Sequence, residues 1–323
     1  MGDSKTLADD DSRVGTDAQG RLADRSLHDH TERLAPHMYE ICDGVWCLVG
    51  NGLSNQTFLR GPEGIIAIDT GDSVEEMRSA LDHLRRVTTE PVVGVVYTHF
   101  HYVNGTAALT EHEPITAIWG HERIAQNLER AATEIAPAYS RGLVEQFGIQ
   151  LPDEGPDGLV NVGLGLAFRM AHHAPSTPGY VAADHTFTEQ VTVNLAGLEM
   201  QVTPAPSDAD DSVTLWFPHF DVAVHNLVWP ALFNVFAIRG EEYRDPRVLL
   251  NGLDHLRSLN AEHLVATHGP PLSGKQELER RITAYRDSIQ FLWDQTVRWT
   301  NRGATGPELA HRIQLPAIYD VDW

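Results

Sequence analysis

The chain has 323 residues, 42% hydrophobic and 21% charged, the balance of an ordinary globular protein with room for one large domain or two modest ones. Its 45 acidic and 24 basic residues give a formal charge of −21, a field that repels phosphate backbones and anionic lipid, so neither nucleic acid nor a membrane surface is expected as a partner. No run of about 18 apolar residues occurs to span a bilayer, and a site for an anionic substrate must be locally basic or built on a metal.

Residues 1–34 are polar and aperiodic, without the apolar region or small-residue cleavage site of a signal peptide. They are expected to form a disordered or draped arm, and a cytoplasmic location follows from the missing leader. Cys42 and Cys47 flank Asp43-Gly44 and are expected as reduced thiols on neighbouring strands. Two cysteines are too few for a structural zinc site.

From Met38 the sequence reads as short β-segments. Val45-Trp46-Cys47-Leu48-Val49 precedes the turn Gly50-Asn51-Gly52; Gln56-Thr57-Phe58-Leu59 precedes the turn Gly61-Pro62-Glu63-Gly64. Ile65-Ile66-Ala67-Ile68 reads as a buried strand ending in Asp69-Thr70-Gly71-Asp72. Ser73 and Glu76 form a capping-box pattern, and Val74, Met77, Leu81 and Leu84 mark one face of the helix that follows. A second buried run, Val92-Val93-Gly94-Val95-Val96-Tyr97, delivers Thr98-His99-Phe100-His101 at its C-terminal end. Two ββ units followed by βα alternation predict an α/β fold, an αββα sandwich with helices outside two packed sheets. Residues 121–148 read as mostly helical, and residues 150–190 as loops over a site. Strands return near residues 191–194, 199–202, 213–217, 222–224 and 264–267, with a helix over 246–259. Leu278, Ile282, Ile289 and Leu292 lie on one face of a tail helix, and Thr305-Gly306-Pro307-Glu308 opens another.

The chemistry-bearing candidates collect at strand ends. Two histidines at i and i+2 in a turn can both face one ion, and His268, in Ala266-Thr267-His268-Gly269-Pro270, ends another buried strand. Histidines at strand ends along one rim suit a metal site in a layered fold.

Asp69-Thr70-Gly71, the His99/His101 turn and His268 together resemble the metal-binding skeleton of metallo-β-lactamase-fold hydrolases. Finer matches resemble one branch, the alkylsulfatases. They are Gly52-Leu53-Ser54-Asn55, Gly179-Tyr180, Thr203-Pro204-Ala205-Pro206, Ile238-Arg239-Gly240 with Arg244-Asp245-Pro246, and Leu292-Trp293-Asp294-Gln295-Thr296. The resemblance covers roughly residues 38–319 and divides the chain into the arm (1–34), a metal-binding domain (35–272) and a short C-terminal helical extension (273–323). That extension resembles the start of the family's dimerisation domain, which implies a homodimer through these helices; its apolar face can equally pack on its own core. The family's C-terminal sterol-carrier-like domain has no counterpart in the sequence.

The family motif HxHxDH here reads His99-Phe100-His101-Tyr102-Val103-Asn104, so Val103 and Asn104 stand where the resemblance places two ligands of a second metal. The first ligand glutamate of the family aligns with Asp208, with Asp210 or Asp211 if the register slips; the second aligns with Asn226, or His225 after a one-residue slip. The resemblance thus implies metal ligands His99, His101, Asp208 and His268, with Asp208, Asn226 and Asn104 at the catalytic position. One divalent metal rather than two is expected, zinc or, since two histidines and a carboxylate also form the facial triad of non-haem Fe(II) oxygenases, iron. Arg239 and Arg244 resemble the sulfate-holding arginines, with a surface salt bridge to Glu241, Glu242 or Asp245 as the alternative, and Tyr180 is either a further anion donor or a turn-packing aromatic. The small-molecule substrate implied is an organic anion ester, most simply an alkyl sulfate, cleaved by hydrolysis. A mononuclear Fe(II) oxygenase or lyase and a metal-free scaffold are the alternatives. Trp216, Trp229, Phe233 and Phe236 flank Asn226 and can wall an apolar channel or pack the core.

Overall fold

The computed structural model describes residues 11–228, 239–241 and 243–319; Trp229, Phe233 and Phe236 lie outside them. In chain order the elements are β1 (Val14–Thr16), β2 (Leu22–Asp24), α1 (Arg25–Arg33), β3 (His37–Cys42), β4 (Val45–Val49), β5 (Gln56–Gly61), β6 (Gly64–Ile68) and α2 (Val74–Leu84). Then follow β7 (Val92–Val96), α3 (Thr106–His112), β8 (Ala117–His121), α4 (Ile124–Ala132), α5 (Ala136–Gln146), β9 (His185–Phe187), β10 (Val191–Leu195) and β11 (Leu198–Pro204). The chain continues through β12 (Val213–Phe217), β13 (Val222–Val228), α6 (Pro246–Ser258), β14 (His263–His268), β15 (Leu272–Ser273), α7 (Lys275–Thr300) and α8 (Gly306–Arg312).

Two sheets follow chain order, β3 to β9 in one and β10 to β15 in the other. The first is antiparallel from β3 to β6 and parallel from β6 to β9, with α2, α3 and the α4–α5 pair making the crossovers. In the second, only β13 and β14 are parallel, joined through α6. The continuous apolar runs of β4, β6 and β7 are explained by burial on both faces. One face of β4, β6 and β7 meets Met200, Val202, Leu215, Phe217 and Val224 of the other sheet, while the opposite face carries α2 and α3. On the far side of the second sheet, Leu253 and Leu256 of α6 meet Leu278, Ile282, Tyr285 and Ile289 of α7. Each such side chain contributes on the order of 1.5–3 kcal/mol by leaving water. The αββα sandwich is therefore the architecture of the protein, with the helical extension closing its outer layer.

Three local expectations need adjustment. Residues 11–34 are draped in ordered form: β1 pairs with β2, Asp24 caps α1, and the unit rests on the loop at 155–163. There Arg21 donates to the Leu159 carbonyl at 2.8 Å, and the Asn161 amide donates to the Leu27 carbonyl at 2.9 Å. The capping box at Ser73 is half made. Ser73 Oγ accepts from the Glu76 amide at 3.1 Å, but the Glu76 carboxylate turns inward to accept from Gln56 Nε2 at 2.8 Å and the Asp72 amide at 3.1 Å. Burial raises the pKa of both Asp72 and Glu76 above the carboxylate range. Finally, of the two uses open to the apolar face of α7, its inward half shows packing on α6 and the core.

Candidate metal centre

The C-terminal ends of β6, β7, β13 and β14, with the loop between β11 and β12, converge on one rim. Asp69, immediately after β6, accepts from the Thr98 amide at 2.8 Å and from Thr98 Oγ1 at 2.6 Å. Burial lifts its pKa to about 7 against these two bonds. Thr98 Oγ1 is also 2.8 Å from His99 Nδ1, so the Thr98 proton goes to Asp69 and the His99 ring donates to Thr98. This leaves His99 Nε2 as a lone-pair donor in the interior, buried and without a hydrogen-bond partner.

The turn is held from behind. Thr70 N donates to the Tyr102 carbonyl at 2.8 Å, and Asn104 N to the Gly71 carbonyl at 3.1 Å. A Cβ on Gly105 would lie 1.9 Å from the Thr70 carbonyl oxygen, so the close approach requires glycine.

His99 Nε2 faces Asp208 Oδ1 at 3.8 Å, and His101 Nδ1 faces Asp208 Oδ2 at 3.2 Å. One ligand atom from each of the three residues lies within 4.8 Å of the others. Two imidazole nitrogens and a carboxylate around an orphaned buried Nε2 fit a divalent ion; His99, His101 and Asp208 would hold it. Burial lowers His99 to a pKa of about 3, keeping it neutral as a ligand must be. Burial also opposes charge on His101, but Asp208 and Glu241 override it and raise the ring to about 9, so an ion bound there would have to displace its proton. Asp208 is held well below the carboxylate range, its own desolvation outweighed by His99, His101 and Arg244.

His268 does not join this group. Its Nδ1 is 2.7 Å from the Leu53 carbonyl, and its Nε2 is 3.4 Å from the Tyr102 hydroxyl. The Tyr102 ring stands edge-on to both His99 and His268, with centroids at 5.2 and 5.3 Å, and so occupies the space between them. Asn226 is the β13 residue that reaches Asp208, donating to Oδ1 at 2.5 Å and to Ser212 Oγ at 2.8 Å. His225 bonds Thr214 Oγ1 at 2.7 Å; a register shift after it breaks strand alternation, and both residues line the same cavity. Asp210 is engaged by Arg123 and Asn127, and Asp211 is fully buried, so neither takes the place of Asp208.

That cavity, of about 250 Å³, is walled by Asp208, Asn226, His268, Arg239, Arg244, Tyr102 and apolar side chains including Phe147, Leu253, Tyr285 and Ile289. Arg239 Nε and Arg244 Nη1 are buried there without partners. Asn104 lies in a neighbouring cavity with Asp72, His101 and Arg169, across Tyr102. Tyr180 lies elsewhere: it packs beside Tyr97, centroids 6.1 Å apart, which fits the turn-packing alternative. Trp216 is half-buried against the α6–α7 layer, away from the cavity. The residue that sequence reasoning passed over as a mere salt-bridge partner is Glu241, whose side chain is 6% exposed and whose Oε1 is 2.7 Å from His101 Nε2. Its place between the two arginines, in Arg239-Gly240-Glu241 and Arg244, was the available signal.

Residues 49–218 match the family model of the metallo-beta-lactamase superfamily. The chain belongs to this superfamily. Within it, the chain is similar to alkylsulfatases. It is 35% identical to a linear primary-alkylsulfatase of Pseudomonas sp. over 266 residues, 80% of this chain and 49% of that protein. An alkyl/aryl-sulfatase of Saccharomyces cerevisiae is 26% identical over 302 residues, 88% of this chain and 45% of the relative. The stereoselective inverting sec-alkylsulfatase Pisa1 from Pseudomonas sp. superposes with a TM-score of 0.83 at 22% identity, covering 92% of this chain and 49% of that structure, which shows a shared fold. The superfamily member thus spans about half the length of the curated relatives it matches. No helix among its described residues is long and apolar enough to cross a membrane.

Proposed function

We propose that the protein is a metal-dependent hydrolase of alkyl sulfate esters, with one zinc ion held by His99, His101 and Asp208. The observation that carries the reading is the buried, partnerless His99 Nε2 facing Asp208 in the wall of a cavity that also presents two buried arginines. Similarity to proteins named as alkylsulfatases supports the substrate class. A divalent ion bound there supplies Lewis acidity to the ester.

The chain's own groups do the remainder. Arg239 Nε and Arg244 Nη1 are free to donate to sulfate oxygens, and their charge offsets the charge of the substrate in a site that the −21 field otherwise disfavours. Asn226 fixes the Asp208 carboxylate, and Thr98 fixes the His99 ring. The Tyr102 phenol, kept protonated by burial, lines the cavity and directs its proton to His268 Nε2. Leu253, Phe147 and Ile289 offer apolar contact to an alkyl chain. Overall, water and the sulfate ester give an alcohol and hydrogen sulfate.

The test is release of inorganic sulfate from primary alkyl sulfates of short, medium and long chain by zinc-loaded protein. Equimolar alcohol and sulfate, lost on chelation and regained with zinc, is the expected result. Zinc-loaded, folded protein that releases no sulfate from any chain length overturns the reading. If the purified protein carries iron and releases the substrate carbon as an aldehyde, the facial-triad oxygenase replaces it.

A further inference from the structure

Glu241 is nearly sealed from solvent and has three cationic neighbours. Its Oε1 is 2.7 Å from His101 Nε2, both its oxygens accept from Arg239 Nη2 at 3.1 and 3.0 Å, and its Oε2 lies 3.6 Å from Arg244 Nη2. A carboxylate on Nε2 keeps the ring proton there and aims Nδ1 at Asp208, the arrangement in which an outer carboxylate orients a metal-ligating histidine. The same carboxylate occupies the Nη2 corner of each guanidinium, leaving Arg239 Nε and Arg244 Nη1 as unpartnered donors of two residues that line the cavity.

We propose that Glu241 is a positioning residue for His101 and, at the same time, an internal counter-anion that limits how tightly Arg239 and Arg244 hold an oxyanion. The inference rests on the metal and sulfate reading above and adds to it a device for product release. Two buried guanidinium groups without a nearby carboxylate would retain sulfate after the ester is cleaved. Glu241 already supplies part of the negative charge they require, so the sulfate ion competes with it and leaves. One carboxylate thereby strengthens metal binding and weakens product binding.

The two roles predict effects of opposite sign, which a merely structural contribution would not produce. In Glu241→Gln, zinc affinity measured by competition with a chromophoric chelator falls about 10- to 100-fold, the usual cost of losing an outer-shell partner. Sulfate, titrated into the chelator-treated protein, binds several-fold more tightly, and product inhibition by sulfate rises in step. Glu241→Asp keeps the charge but withdraws it by one methylene; its zinc affinity falls while its sulfate affinity stays near that of the unaltered protein. The cobalt-substituted protein reports ligand geometry directly, and its visible spectrum shifts in both variants. Near-UV circular dichroism verifies that each variant is folded; if the Gln variant does not fold, the Asp variant decides. The proposal is overturned if folded variants keep zinc affinity within about twofold, or if Glu241→Gln binds sulfate no more tightly. Should the unaltered protein bind neither zinc nor sulfate, the functional reading fails and this inference with it.

Discussion

At the end of β7, His99 keeps one buried ring nitrogen without a partner; at the end of β14, His268 has a partner at both nitrogens. The two places look alike in the sequence, each a histidine closing an apolar strand. They differ in what surrounds them. Around His99 stand a second histidine and an ionised carboxylate, whereas around His268 stand a tyrosine hydroxyl and a backbone carbonyl. Buried polar atoms are satisfied in native proteins, so the first place has an unmet demand and the second does not. A strand-end histidine is a metal ligand only where the other groups leave its nitrogen free.

The largest effect is expected from breaking the first place. A four-ligand zinc site gains about 10–16 kcal/mol, so one ligand accounts for about 2.5–4 kcal/mol, about two to three orders of magnitude in affinity. His99→Ala should lose zinc to that extent in chelator competition; unchanged affinity would remove His99 from the site. The degenerate motif can be probed by Val103→Asp, which puts an unpaired carboxyl among the apolar side chains packed between β7 and α2. The expected cost is about 3 kcal/mol in urea unfolding, with no recovery on adding zinc. Recovery with a second bound ion would show that the motif needs only one ligand to revive.

A smaller effect sharpens the contrast through pH. His101 has an ordinary pKa of 6.5 and is raised to about 9 in the fold, after Asp208 and Glu241 overcome burial. Because the folded form binds this proton more tightly, its stabilisation is complete below pH 6.5 and is lost as pH rises through about 9. The unfolding free energy of chelator-treated protein, measured in urea, should therefore fall over that window, by about 3 kcal/mol. His101→Asn should flatten the fall, and a flat profile for the unaltered protein would deny the ion pair.

Much of this arrangement was legible in the sequence because it is local. Runs such as Ile65-Ile66-Ala67-Ile68 and Val92–Val96 announce buried strands, and the two-residue spacing of His99 and His101 announces two histidines on one turn. What stayed hidden depends on distant contacts. The helix at Arg25–Arg33 has no apolar period of its own and is ordered by a loop some 130 positions away, through Asn161 and Gly163. His268 carries the right residue type, yet its exclusion depends on where the Tyr102 ring falls, and no spacing encodes that. Glu241 reads as an ordinary salt-bridge partner until His101 is brought beside it from 140 residues away.

A single ion is expected at the end of β7. Elemental analysis of protein equilibrated with excess zinc and then freed of unbound metal tests it most directly, carried out in parallel on His268→Ala. The expected result is one zinc per chain in both proteins. Two zinc ions per chain, or a single ion that disappears with His268, would contradict it.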